Sequence, residues 1–145
     1  MDPLAAAARP AMLMLSIAAA GACTHEGAPP AGGPAPIASA GRGAQLFSAS
    51  CAACHQSDGR GISHLYPSLA GSAVVLGDSS VLARWVIKGE RPAALPPGRY
   101  ASAMPQFGWL KDADAAALLT YIRTGFGNQA RAVDAAAVAV ARGPT

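Results

Sequence analysis

The sequence has no run of lysine or arginine and no basic strip interleaved with aromatics, and only 13% of its residues are charged. A formal net charge of +3 gives no ground for a nucleic-acid partner, whose backbone is held by many cations at once. No stretch alternates as a half-buried strand does, and no segment repeats. The N-terminal apolar run, 11–20, is too short to span a bilayer as a helix. Sulfur is scarce as well. There are three cysteines and four methionines. Met1, Met12 and Met14 fall in or before that apolar run, so Met104 is the one methionine of the remaining chain. A chain of 145 residues has room for one domain.

What is present is concentrated in the stretch SASCAACHQSDGRG, where Cys51 and Cys54 stand two residues apart and His55 follows directly. Cys-x-x-Cys has three common uses. It is an attacking and a resolving thiol in a redox dithiol, half of a tetrahedral zinc site, or, with a following His, the attachment point of a c-type haem. The dithiol expects a βαβ context, which the chain does not show. Zinc needs two more ligands, and Cys23, His25 and His64 form no paired cluster with standard spacing. Haem asks for a sixth iron ligand elsewhere, commonly a Met sulfur. Met104, 49 residues after His55, supplies a candidate. Pro105 follows it and disfavours a helix through that bond, so a loop position is expected rather than a place on a packed helix face. His64 is the competing sixth ligand, but it lies only nine residues after His55, on the proximal stretch.

The N-terminus carries Arg9, the apolar run and then small residues, which is the pattern of an export signal over 1–22. Ala20-Gly21-Ala22-Cys23 resembles a bacterial lipoprotein box with Cys23 as the lipidated residue; ordinary cleavage nearby is the alternative. Residues 23–40 are rich in Pro, Gly and Ala and read as a linker. Its 18 steps from Cys23 to Gly41 reach roughly 56 Å when extended and about 23 Å as a flexible coil. The domain is expected over 41–128, with helices at 42–50, 79–88 and 112–124, all-α and without strands. Leu82, Trp85 and Val86 share one face of the second helix with Val81. Ala115, Leu118, Leu119 and Ile122 follow the i, i+3, i+4, i+7 spacing in the third. A serine start and Gly89 bound the second; Asp112 is the expected N-cap of the third and Gly125 its stop. A C-terminal extension, 129–145, holds a weak alanine helix at 134–142, expected to pack loosely outside. The long irregular stretches 56–78 and 89–111 need something to wrap.

These residues resemble class I cytochromes c. Gly43, Phe47 and Cys51 reproduce the Gly-x-x-x-Phe-x-x-x-Cys spacing of the family's N-terminal helix, and Cys51-Ala-Ala-Cys54-His55 is its haem box. YPSLAG looks like its Pro-x-Leu segment. The resemblance implies short helices and long loops around one covalent haem c. It also implies that the Pro67 carbonyl accepts from the ring of the iron ligand His55, that Leu69 lines the haem pocket, and that Leu118 and Tyr121 lie on a helix crossing Gly43 and Phe47. MPQFGWLKDADAAALLTYIRTGFGN is similar to cytochrome subunits and domains of periplasmic alcohol, aldehyde or gluconate-type dehydrogenases, which often carry three haem boxes where this chain has one.

The implied function is single-electron transfer in a periplasmic chain, from a dehydrogenase to an oxidase or another cytochrome. The carrier itself is not an enzyme and has no small-molecule substrate. Its partners are redox donor and acceptor proteins and, through Cys23, a membrane. The alternative is a haem enzyme or gas sensor with a labile sixth ligand. Trp85, Phe107 and Trp109 are expected to pack around the haem. Trp85 or Tyr100 is a candidate propionate donor, and Arg60, Arg84, Lys88, Arg91 and Arg99 read as solvated charges.

Overall fold

The computed structural model describes residues 37–144. The export segment, Cys23 and the linker up to residue 36 lie outside the described residues. Six helices follow in order: α1 (Ile37–Ser50), α2 (Ala52–His55), α3 (Ala73–Leu76), α4 (Ser79–Lys88), α5 (Asp112–Thr124) and α6 (Ala135–Arg142). Among the described residues there is no strand, only an isolated bridge between Ile62 and Tyr66. No described helix is long and apolar enough to cross a membrane. The fold is all-α, as the periodicities imply. Helix α1 begins five residues before the expected 42, because residues 37–40 hold no Gly or Pro and two helix-favouring alanines.

Helix α5 is the centre. Ala115, Leu118, Leu119 and Ile122 are buried as their spacing requires, but so are Ala116, Ala117, Thr120 and Arg123. The helix is enclosed because α1, α3, α4 and α6 all pack on it. The α1–α5 crossing depends on Gly43. A Cβ there would sit 2.7 Å from the Tyr121 Cβ and 2.9 Å from the Ala117 carbonyl carbon. One turn on, Phe47 packs with its ring centroid 5.6 Å from Tyr121 and 5.0 Å from Phe126. Arg42 closes the crossing with a two-pronged bond to Asp114, at 2.8 and 3.0 Å.

The helix ends differ from expectation in two places. On α4, Asp78 rather than a serine is the cap, its carboxylate accepting from the Ser80 amide at 2.8 Å, while Gly89 at φ 72 ends the helix as expected. On α5 the N-cap position is Lys111 with no side-chain cap, since the Asp112 carboxylate is turned to Arg142 at 2.9 Å.

Helix α6 is the larger correction. It is not loosely attached. Val138 is fully buried and Ala141 nearly so, against α4 and α5. The lead-in to it is stitched to α5, the Thr120 hydroxyl accepting from the Val133 amide (2.9 Å) and donating to the Val133 carbonyl (3.1 Å). The alanines that weaken its periodic signal are what let its backbone approach closely.

Gly43→Ala is expected to destabilise the haem-loaded protein by about 1–3 kcal/mol through overpacking against backbone that cannot yield. At about 4–8 °C per kcal/mol for a domain this size, thermal unfolding followed by circular dichroism resolves it. An unshifted midpoint would mean the crossing tolerates a wider spacing than described.

Candidate functional site

Helix α1 runs into Cys51, and the single turn of α2 carries Cys54 and His55 onward. Cys51 and His55 are buried, Cys54 half-buried. The chain then turns back sharply. Gly61, at φ 65, has the Pro67 carbonyl oxygen 2.5 Å from where a Cβ would be, so only glycine lets the 61–67 loop close. Its amide donates to the His55 carbonyl at 2.9 Å. This closure places the Pro67 carbonyl 2.9 Å from His55 Nδ1. A carbonyl can only accept, so Nδ1 carries the proton and Nε2 keeps its lone pair. Burial pushes the imidazole below its ordinary pKa, against the upward pull of the Pro67 carbonyl. A neutral ring with a fixed tautomer is the form that ligates a metal.

Nε2 belongs to a ring that lines a cleft enclosing about 1130 Å³, part of it open to solvent. Cys51, Cys54, Leu69 and Met104 line it too. Its walls are mainly apolar, and Val75, Leu82, Val86, Phe107, Leu118 and Ile122 belong both to the cleft and to the core. A large flat apolar group bearing two vinyl substituents and a metal would fit this lining, with the Cys51 and Cys54 thiols and the His55 ring to hold it.

The other uses of Cys-x-x-Cys fit poorly. A redox dithiol works through a thiolate of lowered pKa. Here burial, with Cys54 adding to it, pushes the Cys51 thiol up to about 11. Among the described residues no group of three His, Cys, Asp or Glu side chains could hold a metal ion, so zinc finds no ligand set among them. His64 is exposed, does not line the cleft, and gives its carbonyl to the Ala101 amide at 3.2 Å.

Residues 40–126 match the family model described as Cytochrome c. The chain belongs to the cytochrome c family. It is 39% identical over 93 residues to the alcohol dehydrogenase (quinone) cytochrome c subunit of Gluconobacter oxydans, a match covering 61% of this chain and 19% of that one. It is 38% identical over 93 residues to the gluconate 2-dehydrogenase cytochrome c subunit of Pantoea cypripedii, covering 62% and 21%. With cytochrome c-552 of Thermus thermophilus it shares 34% identity over 91 residues, covering 59% and 69%. The chain thus spans about a fifth of the length of the dehydrogenase subunits and about two thirds of the small cytochrome. It is a class I, monohaem c-type cytochrome domain whose cofactor is one haem c bound covalently through Cys51 and Cys54. Its role is electron transfer. When bound, the haem iron accepts and releases one electron at a time.

The structure adds residues that sequence reasoning passed over. Asn128 is buried; its amide donates to the Leu69 (3.1 Å) and Ile122 (2.9 Å) carbonyls and its oxygen accepts from the Gly71 amide (2.9 Å), tying the Leu69 loop to the end of α5. Arg123 is buried and donates to the Val75, Gly77 and Arg131 carbonyls, at 2.6, 2.9 and 2.8 Å. It holds Val75 in the cleft wall, and among the described residues no carboxylate is bonded to it. Arg91, read as a solvated charge, lines the cleft and lies 5.3 Å from the Trp85 ring centroid. Trp85 and Phe107 line the cleft as expected, and Tyr100 lines it too. Trp109 does not; it is 68% exposed.

Replacing Cys51 and Cys54 together by Ala is expected to abolish covalent haem and leave the domain without a cooperative unfolding transition, because six core residues would then face an open cleft. Recovery of a soluble, cooperatively folding, haem-free protein would overturn this.

Proposed function

We propose that this protein is a periplasmic, membrane-anchored carrier that takes single electrons from a dehydrogenase and passes them to an oxidase or another cytochrome. His55 and Met104 are the two axial iron ligands. The observation that carries the reading is the pairing, in one cleft, of a His55 ring held by Pro67 with Met104, the single methionine of the described residues. A Met/His pair raises the potential relative to two histidines, and the apolar walls disfavour the extra charge of the ferric state. With His55 and Met104 both holding the iron, small ligands would reach it only when the sulfur leaves.

The donor reading draws on two relatives whose names make them cytochrome subunits of alcohol and gluconate dehydrogenases. Export draws on the N-terminal pattern of Arg9, the 11–20 apolar run and small residues. Anchoring draws on the Ala20-Gly21-Ala22-Cys23 box. Since α1 starts at Ile37, 14 steps separate it from Cys23, an extended reach of roughly 43 Å. A tether of that reach would keep the domain near a membrane. Two or more acyl chains at about 0.8 kcal/mol per buried CH₂ anchor stably where one does not.

Met104→Ala is expected to retain covalent haem, lose the long-wavelength Met–Fe(III) absorption band, bind carbon monoxide when reduced, and lower the potential. A variant with the parent's spectrum and potential would show that another residue is the ligand. Cys23→Ser is expected to release spectrally unaltered protein from the membrane fraction. Mass spectrometry showing a bare thiol at Cys23 in the native protein would end the anchoring reading and leave the electron-transfer role untouched.

A further inference from the structure

The loop bearing Met104 is held unevenly. Upstream, between Glu90 and Ala103, the backbone bonds to the rest of the protein are few among the described residues: Glu90 to the Arg84 carbonyl (3.4 Å) and Ala101 to the His64 carbonyl (3.2 Å). That stretch is largely exposed. Downstream, the Phe107 amide donates to the Val86 carbonyl of α4 (2.9 Å), and Leu110 turns back to the Phe107 carbonyl (3.0 Å). Arg142, on α6, then grips this turn from outside. Its guanidinium donates to the Gly108 carbonyl (2.8 Å), the Leu110 carbonyl (2.7 Å) and the Asp112 carboxylate (2.9 Å). The side chain is only 23% exposed. Three acceptors on one planar fork use the geometry that arginine has and lysine lacks. Residue 142 lies beyond the 40–126 match to the family, so this grip belongs to the C-terminal extension.

We propose that Arg142 is a positioning residue for the sixth iron ligand: by fixing 108–112 against α6, it holds the one firmly anchored end of the Met104 loop and slows departure of the sulfur from the iron. The inference rests on Met104 being the axial ligand. Phe107 transmits the restraint, since it is buried in the cleft wall three residues after Met104 and bonded to α4. Asp112 serves the same grip, which accounts for its absence from the cap of its own helix.

The test compares full-length, haem-loaded variants. Arg142→Ala is expected to keep covalent haem and to bind carbon monoxide in the reduced state about tenfold faster, equivalent to about 1.4 kcal/mol off the barrier. Amide exchange at Phe107 and Leu110 should quicken with it. Arg142→Lys, a point donor unable to bridge all three acceptors, should fall between, and carries the comparison if the alanine variant does not fold. Arg42→Ala is the control. It breaks a similar bond, to Asp114 on the α1–α5 crossing, and should lower the unfolding midpoint without changing the carbon monoxide rate. Equal acceleration in the Arg42 and Arg142 variants would reduce the effect to general stability and sink the proposal. A parent-like rate and exchange in Arg142→Ala, in a protein where Met104→Ala does alter the spectrum, would overturn the proposal alone. An unaltered Met104→Ala spectrum would remove the ligand reading and the proposal with it.

Discussion

The apolar wall shared by the core and the haem cleft is the constraint on which this domain depends. Val75, Leu82, Val86, Phe107, Leu118 and Ile122 belong to one packed cluster on one side and line the cleft on the other. The six helices of the described residues, with two loops of more than ten residues among them, do not close such a wall by themselves. A haem bound there would complete it, and its burial would stabilise fold and redox site together. Burial of His55 beside this wall lowers its pKa and so favours the neutral ring that ligates a metal.

Around that wall, backbone carbonyls are the recurring partners. Arg123 donates to three of them, Asn128 to two and Arg142 to two, and the Pro67 carbonyl orients His55. Long irregular loops leave many carbonyls without a ladder to join, and a buried carbonyl needs a donor. A few polar side chains from α5, α6 and the turn after α5 meet that need and fix the loops that line the cleft.

This explains which parts were legible in the sequence. Helices α4 and α5 were readable to the residue, because Leu82, Val86, Leu118 and Ile122 keep helical spacing and Gly89 and Gly125 end them. The haem box was readable from spacing alone, since few chemistries need Cys51, Cys54 and His55 so close. Helix α3, four residues long, is too short to show a period. The docking of α6 was hidden because alanine contributes little to any periodic signal. Arg123, Asn128 and Arg142 were illegible for a different reason. Their partners are mostly backbone atoms, up to 59 residues away for Asn128, and a carbonyl leaves no trace in residue type. Trp109 misled in the opposite direction: its size argued for packing, yet it stands at the surface beside buried Phe107.

The exposed, Pro- and Gly-containing stretch between Glu90 and Ala103 divides the proposed iron ligands between two lengths of chain. Everything covalent lies before it, in Cys51 and Cys54, together with His55; Met104 lies after it. A single cut there would leave an N-terminal fragment carrying the haem and a C-terminal fragment carrying the sulfur. The α1–α5 and α4–α6 pairs both bridge the break, so their packing would hold the fragments together. Such a nicked molecule would remain coloured and assembled at high concentration. On dilution it would come apart, and with Met104 as the proposed ligand the haem-bearing half would be left with a vacant coordination position.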